Sequence, residues 1–109
     1  MNWIPITDAS QISSIIEKSK NNPQLIFKHS VRCGTSALAK NRLEKGTAPE
    51  GIDFYYLDLI NYRSISNQVA DVFQVEHESP QVLLIRNGKC VYNESHIAIR
   101  MDEITEQVA

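Results

Sequence analysis

Apolar residues recur along the chain at two different spacings, and one of these spacings predicts helices. Ile12, Ile15 and Ile16 form one face of a helix, as do Ile65, Val69 and Val72 further along the chain. Asn21-Asn22-Pro23 ends the first of these helices, because proline disfavours helix in the residue before it. The predicted helices cover residues 8–20, with Thr7 or Asp8 as the cap, then Ser36–Lys45, Ser64–Phe73 and Asp102–Val108. Gly46 follows the second helix and is expected to take the left-handed cap conformation.

Shorter apolar runs, rich in branched and aromatic residues, predict strands between these helices. Asn87-Gly88 separates two such runs, and this dipeptide is the strongest short signal for a hairpin turn. The predicted strands are Leu25–His29, Ile52–Leu59, Gln81–Arg86 and Lys89–Asn93.

The order of these elements predicts the fold class. Strands and helices alternate through most of the chain, which favours parallel pairing through crossover helices, and the last two strands add an antiparallel hairpin. We therefore expect an α/β fold with a mixed central sheet, helices on both faces and a C-terminal β-hairpin. Its 109 residues suit a single domain over positions 1–109.

Composition narrows the possible functions. The net charge is −2 and the basic residues are scattered, so nucleic-acid binding is not expected. No apolar run approaches the ~20 residues of a membrane span, and Met1–Ile6 does not resemble a secretory signal. Two cysteines far apart in sequence do not form a disulfide framework. A reducing, cytoplasmic setting with no membrane partner is the expectation.

The residue that carries most chemical information is Cys33, between the first predicted strand and the second helix. Free backbone N–H groups and the dipole at a helix N-terminus stabilise a negative sulfur, and the thiolate is the nucleophile of disulfide exchange. Its neighbours Arg32, Gly34, Thr35 and Ser36 are polar or small, which favours a solvent-reachable turn. The alternative is that Cys33 is a buried, unreactive filler of the core.

Element order and a cysteine after the first strand resemble the thioredoxin fold. Pro80 opens a predicted strand, a position where proline is tolerated. In thioredoxin-like proteins the corresponding proline is cis and lies against the reactive cysteine. The resemblance therefore implies a cis bond between Ser79 and Pro80, near Cys33.

A narrower resemblance is to the monothiol bacilliredoxin-like family, small cytoplasmic thioredoxin-fold proteins linked to bacillithiol. The blocks that carry it are Phe27–Ser30, Cys33, Ser36, His77–Val82, Asn87–Lys89 and Ser95–His96. Family members commonly have Thr-Cys-Pro-Ile-Ser where this chain has Arg32-Cys33-Gly34-Thr35-Ser36. The cysteine and the serine are kept, while Arg32 and Gly34 differ.

The resemblance implies a monothiol thiol-disulfide oxidoreductase that removes a bacillithiol-like thiol from protein mixed disulfides through Cys33. Ser36 stands where dithiol enzymes have a resolving cysteine, so Cys33 must either hold a mixed disulfide or pass it to an external thiol. Ser36 either donates a hydrogen bond to the thiolate or caps backbone donors. The expected thiol-binding residues are Arg32, Gly34, Thr35, Ser36, Ser79 and Pro80. We expect a monomer with a low-molecular-weight thiol as co-substrate, and no bound cofactor or metal.

The sequence is also compatible with two other functions. Cys33-Gly34-Thr35-Ser36 is one residue from the Cys-Gly-Phe-Ser of monothiol glutaredoxins that carry iron–sulfur clusters. Alternatively, the chain is a non-catalytic thioredoxin-like module that binds extended peptides beside Pro80. His29 and His77 are interpreted first as structural residues that can also face Cys33. Cys90 is expected opposite Ile85 on the hairpin, too far from Cys33 for a disulfide.

Overall fold

The computed structural model describes residues 1–109, with five strands, four α-helices and a short 3-10 turn. In chain order the elements are β1 (Trp3–Pro5), α1 (Ser10–Lys18), β2 (Gln24–His29), α2 (Gly34–Lys45), β3 (Asp53–Asp58), α3 (Arg63–Phe73), β4 (Gln81–Arg86), β5 (Lys89–Ser95), the turn His96–Ala98 and α4 (Met101–Val108).

The strands form one mixed sheet in the order β1-β3-β2-β4-β5. β3 pairs in parallel with both β1 and β2, whereas β4 is antiparallel to β2 and to β5. The predicted α/β class, mixed sheet and terminal hairpin are thus confirmed. β1 was not predicted, because three residues that end at Pro5 carry no alternation of their own and are held by pairing with β3.

Two separate apolar clusters cover the two faces of the sheet. One lies under α1 and α3 and includes Ile15, Val69 and Leu83, while the other lies under α2 and α4 and includes Leu43 and Ile104. Because alternate residues of a strand point to opposite faces, β2 supplies both clusters and is buried at all six positions. Any polar side chain on β2 is therefore enclosed by a helix layer.

The sequence predicted the backbone conformation correctly at Gly88 but not at Gly46. Asn87 and Gly88 both have positive φ, 53° and 76°, as the predicted two-residue hairpin turn requires. Gly46 was expected to be left-handed, which is wrong: its φ is −76° and its ψ is 163°. A Cβ on Gly46 would lie 2.6 Å from Cβ of Met101, so close packing against α4 explains this glycine.

The first helix begins at Ser10 with Ala9 as its N-cap, so the expectation that Thr7 or Asp8 is the cap is wrong. Asp8 accepts a hydrogen bond from the backbone N–H of Ser10 at 2.8 Å. None of the helices has the length and apolar character needed to cross a membrane.

Candidate active site around Cys33

Cys33 occupies the N-cap position of α2, with extended backbone angles of −108° and 121°. Its N–H donates to the carbonyl of Ser30 at 3.1 Å, and its own carbonyl accepts the N–H of Ala37 at 3.0 Å. The thiol is half-buried and free. Cys33 makes no side-chain capping hydrogen bond. Its thiol belongs to the residue at the N-terminal end of α2, where free backbone N–H groups and the helix dipole generally favour a negative charge.

The residues that flank Cys33 form an open turn. Arg32 and Gly34 are exposed, and Thr35 is half-buried. Arg32 makes no ion pair with any carboxylate, and a Cβ added to Gly34 would meet nothing within 4 Å. The turn on either side of Cys33 is therefore open to solvent at Arg32 and Gly34.

Ser36 is fully buried and holds the turn that carries Cys33. Its Oγ accepts the N–H of Ser30 at 3.0 Å and lies 2.7 Å from Nδ1 of His29. The hydroxyl therefore caps a backbone donor of the loop before Cys33, and its other hydrogen bond joins it to His29. No hydrogen bond joins Ser36 to Cys33, so of the two roles proposed from the sequence the backbone-capping role is the one present.

His29 lies in an aromatic layer beneath the N-terminus of α2. Its ring centroid is 5.6 Å from that of Phe27 and 5.4 Å from that of Tyr56. Burial and the nearby Lys40 ammonium lower the pKa of His29, and Asp58 opposes them. A neutral imidazole at this place packs against the rings and still pairs with Ser36.

The loop before β4 reaches the same end of the sheet. The Ser79–Pro80 peptide bond is cis, in agreement with the expectation, and Pro80 is buried. Lys28 pairs with Gln81 across the antiparallel strands, which places Pro80 beside His29 in the continued register. The carbonyl of Pro80 accepts the N–H of His96 at 3.0 Å. Ser79 Oγ is buried and has no hydrogen-bond partner.

A buried lysine on the other face of β2 escaped the sequence analysis. Lys28 is fully buried, and its Nζ lies 3.2 Å from the carbonyl of Ser66 and 3.2 Å from Nδ1 of His77. Burial, with a smaller contribution from Arg63, lowers the pKa of Lys28 to about 8. The signal in the sequence was a lysine placed directly after the apolar run Leu25-Ile26-Phe27 of a predicted strand.

Cys90 lies well away from these residues. It pairs with Ile85 across the hairpin, as predicted, next to an irregularity at which Leu84 pairs with Tyr92. Its Sγ donates to the carbonyl of Tyr92 at 3.3 Å, and burial raises the pKa of the thiol. Cys90 packs against the apolar cluster under α1 and α3. Since Gln81 marks the Pro80 end of β4, Cys90 is four residues along the sheet from it.

The family model described as monothiol bacilliredoxin BrxC matches residues 4–104. The chain belongs to the monothiol bacilliredoxin family. This confirms the resemblance inferred from the motif blocks, and the match includes all of the residues around Cys33. Family membership and fold together support a thiol-oxidoreductase role.

Solved structures show the same fold. A putative oxidoreductase with a thioredoxin fold is 31% identical, covers 94% of this chain and 90% of its own, and superposes with a TM-score of 0.83. Thioredoxin from Malassezia sympodialis is 14% identical, with coverages of 98% and 88% and a TM-score of 0.75. Thioredoxin from Trypanosoma brucei brucei is 15% identical, with coverages of 97% and 86% and a TM-score of 0.73. These two thioredoxins support the fold alone.

Proposed function

We propose that the chain removes a bacillithiol-like small thiol from protein mixed disulfides by using Cys33 as its single reactive thiol. The observation that carries the proposal is the combination of Cys33 at the N-cap of α2 with a serine, Ser36, at the position of a resolving cysteine. The only other cysteine is on the hairpin and its thiol is directed to Tyr92. Release of Cys33 must then come from outside the chain.

The reaction consists of two exchanges that conserve electrons. In the first, the Cys33 thiolate attacks the small-thiol sulfur of the mixed disulfide, so that the protein cysteine leaves as a thiolate and Cys33 becomes disulfide-bonded to the small thiol. In the second, another small thiolate attacks that disulfide and yields the symmetric small-molecule disulfide and free Cys33 thiolate. No bound cofactor or metal takes part.

The protein supports these steps through position and electrostatics. The N-terminus of α2 stabilises the Cys33 thiolate as nucleophile in the first step and as leaving group in the second. Ser36 keeps the Ser30–Cys33 turn in place through the N–H of Ser30. The open turn at Gly34 leaves room for both the protein disulfide and the second thiol.

The test is the release of bacillithiol from a single-cysteine protein that carries it as a mixed disulfide. The chain, its Cys33→Ser variant and its Cys90→Ser variant are each added with free bacillithiol, and the recovered protein thiol is followed by mass. We expect the wild type and Cys90→Ser to accelerate release and Cys33→Ser to have no effect. Equal acceleration by Cys33→Ser would overturn the role of Cys33, and no acceleration by the wild type would overturn the proposal and favour a non-catalytic binding module.

A further inference from the structure

Lys28 is a buried cation without a carboxylate partner. It is fully buried in the central strand and forms no salt bridge. Lysine is almost never fully buried unless it is paired, because taking its charge out of water is costly. Its neighbour on β3, Leu57, and Ile26 on the same face of β2 are apolar, while its neighbour on β4, Gln81, is polar and uncharged, so packing alone does not require a lysine here.

The contacts of Lys28 fix the state of His77. A charged ammonium group has only donors, so Nδ1 of His77, 3.2 Å away, must accept. Ser66 Oγ, 3.4 Å from the same nitrogen, can only add a second donor to it. In the neutral imidazole the proton is then on Nε2, the ring nitrogen directed away from Lys28. His77 is half-buried, so part of its side chain is open to solvent.

Two side chains of the sheet form hydrogen bonds with the loop that carries His77. Lys28 contacts His77, and its cross-strand neighbour Gln81 donates through Nε2 to the carbonyl of Glu76 at 3.0 Å. His77 lies two residues before Ser79, whose buried hydroxyl has no partner. His77 and this hydroxyl are thus both on the loop that leads into Pro80.

Two adjacent residues of β2 make contacts on opposite faces of the sheet. His29 contacts Ser36 on the α2 face, and Lys28, the residue before it, contacts His77 on the α3 face. Arg63 adds positive charge near Lys28 and His77. The carboxylate that acts on His77 is that of Glu78, which accepts a hydrogen bond from Ser95 and lies 4.0 Å from His96.

We propose that His77 donates its Nε2–H to an anionic group, a carboxylate, on the small thiol that releases Cys33, and that Lys28 is the positioning residue that fixes this tautomer. This inference rests on the proposed function. It assigns the α3 side of the Cys33 site to recognition of a negatively charged thiol. Lys28 and Arg63 supply the favourable field, and His77 makes the contact.

Two substitutions of His77 separate its proposed hydrogen bond to the small thiol from its hydrogen bond with Lys28. Gln places its amide nitrogen near the position of Nε2 and keeps the outward donor, whereas Asn keeps an acceptor near Nδ1 for Lys28 and loses the outward reach. Lys28→Met keeps the length of the side chain and removes its charge. Arg86→Met removes a cation at the opposite end of β4 and is the matched control.

The experiment forms the disulfide of Cys33 with thioglycerol and measures its release by mercaptosuccinate, which carries two carboxylates, and by neutral thioglycerol. Rates are compared at equal thiolate concentration, and folding of each variant is checked by circular dichroism. We expect the ratio of the two rates to fall about tenfold in Lys28→Met and in His77→Asn, the size of one hydrogen bond to a charged group. His77→Gln and Arg86→Met should keep the wild-type ratio.

Nitrogen-15 NMR of the histidine rings gives a readout that does not depend on activity. We expect the Nε2–H tautomer of His77 in the wild type and a mixture of tautomers in Lys28→Met. An Nδ1–H tautomer in the wild type would overturn the inference. So would a ratio of rates that His77→Asn leaves unchanged, provided that Cys33 still exchanges its disulfide. Absence of any exchange at Cys33 in the wild type would instead contradict the proposed function.

Discussion

The Oγ of Ser36 lies 2.7 Å from Nδ1 of His29, and the same oxygen accepts the N–H of Ser30 at 3.0 Å. One buried hydroxyl thus connects the end of β2, the turn before Cys33 and the first turn of α2. Ser36 stands where dithiol oxidoreductases have their second cysteine, and here it is a structural hydrogen-bonding residue. The reactive turn is fixed without a second sulfur.

Removing this hydroxyl is expected to destabilise the protein. Ser36→Ala leaves the N–H of Ser30 and Nδ1 of His29 without their partner in a buried place, which costs about 1–3 kcal/mol in the free energy of unfolding. Urea unfolding at pH 7.5 measures the loss. Ser13→Ala, at an exposed position of α1, is the control and should change stability by less than about 0.5 kcal/mol. A Ser36→Ala loss as small as that of the control would contradict the assigned role.

Acid should destabilise the protein through His29. Its pKa in the folded state is lowered below 6.5 by burial, so the unfolded chain takes up the proton first as the pH falls. The stabilisation is complete above about pH 6.5 and is lost as the pH falls through the folded pKa, with a slope of at most about 1.4 kcal/mol per pH unit for this group. His29→Asn keeps an acceptor for Ser36 and removes the titration, so its stability should depend less on pH between 6.5 and 5.

The control for that titration is the exposed His96→Asn, at a positive φ of 58° that asparagine tolerates. Unfolding is measured for each variant across the pH range. An acid slope of His29→Asn that equals the wild-type slope would assign the acid sensitivity to another group.

Gly34 is expected to tolerate larger residues with a gain in stability. It is the first residue of α2, its φ is not positive, and a Cβ there meets open space. Proline is favoured at the first helical position, and both Gly34→Pro and Gly34→Ala reduce the freedom of the unfolded chain, which is worth about 0.4–1 kcal/mol. Thermal unfolding checks this. Gly46→Ala is the contrasting variant, because its Cβ would collide with Met101.

The two thiols should differ in reactivity. Cys33 is half-buried at an open helix N-terminus, whereas burial raises the pKa of Cys90 and its Sγ donates to the carbonyl of Tyr92. Alkylation of the folded protein at pH 7, followed by peptide mass mapping, should label Cys33 first. Labelling of Cys90 at the same rate or faster would argue against an activated Cys33.

The features that the sequence predicted well are those set by neighbouring residues. The hairpin at Asn87-Gly88 and a helix that follows Cys33 depend on local backbone preferences, and both are present, although the helix begins at Gly34, two residues before the predicted Ser36. Gly46 was misread because its constraint comes from Met101, fifty-five positions later. The contact of Lys28 with His77 spans 49 positions and depends on strand register and loop closure. Spacing along the chain does not encode either contact.

The most direct test of the account is the covalent state of Cys33 after one encounter with a substrate. The reduced chain is mixed with one equivalent of a bacillithiol-modified protein without free bacillithiol, the reaction is quenched by alkylation, and the intact mass and peptides are determined. The account predicts a monomer that carries one bacillithiol, bound to Cys33, with Cys90 alkylated. An unmodified Cys33, or a disulfide between Cys33 and Cys90 as the main product, would contradict it.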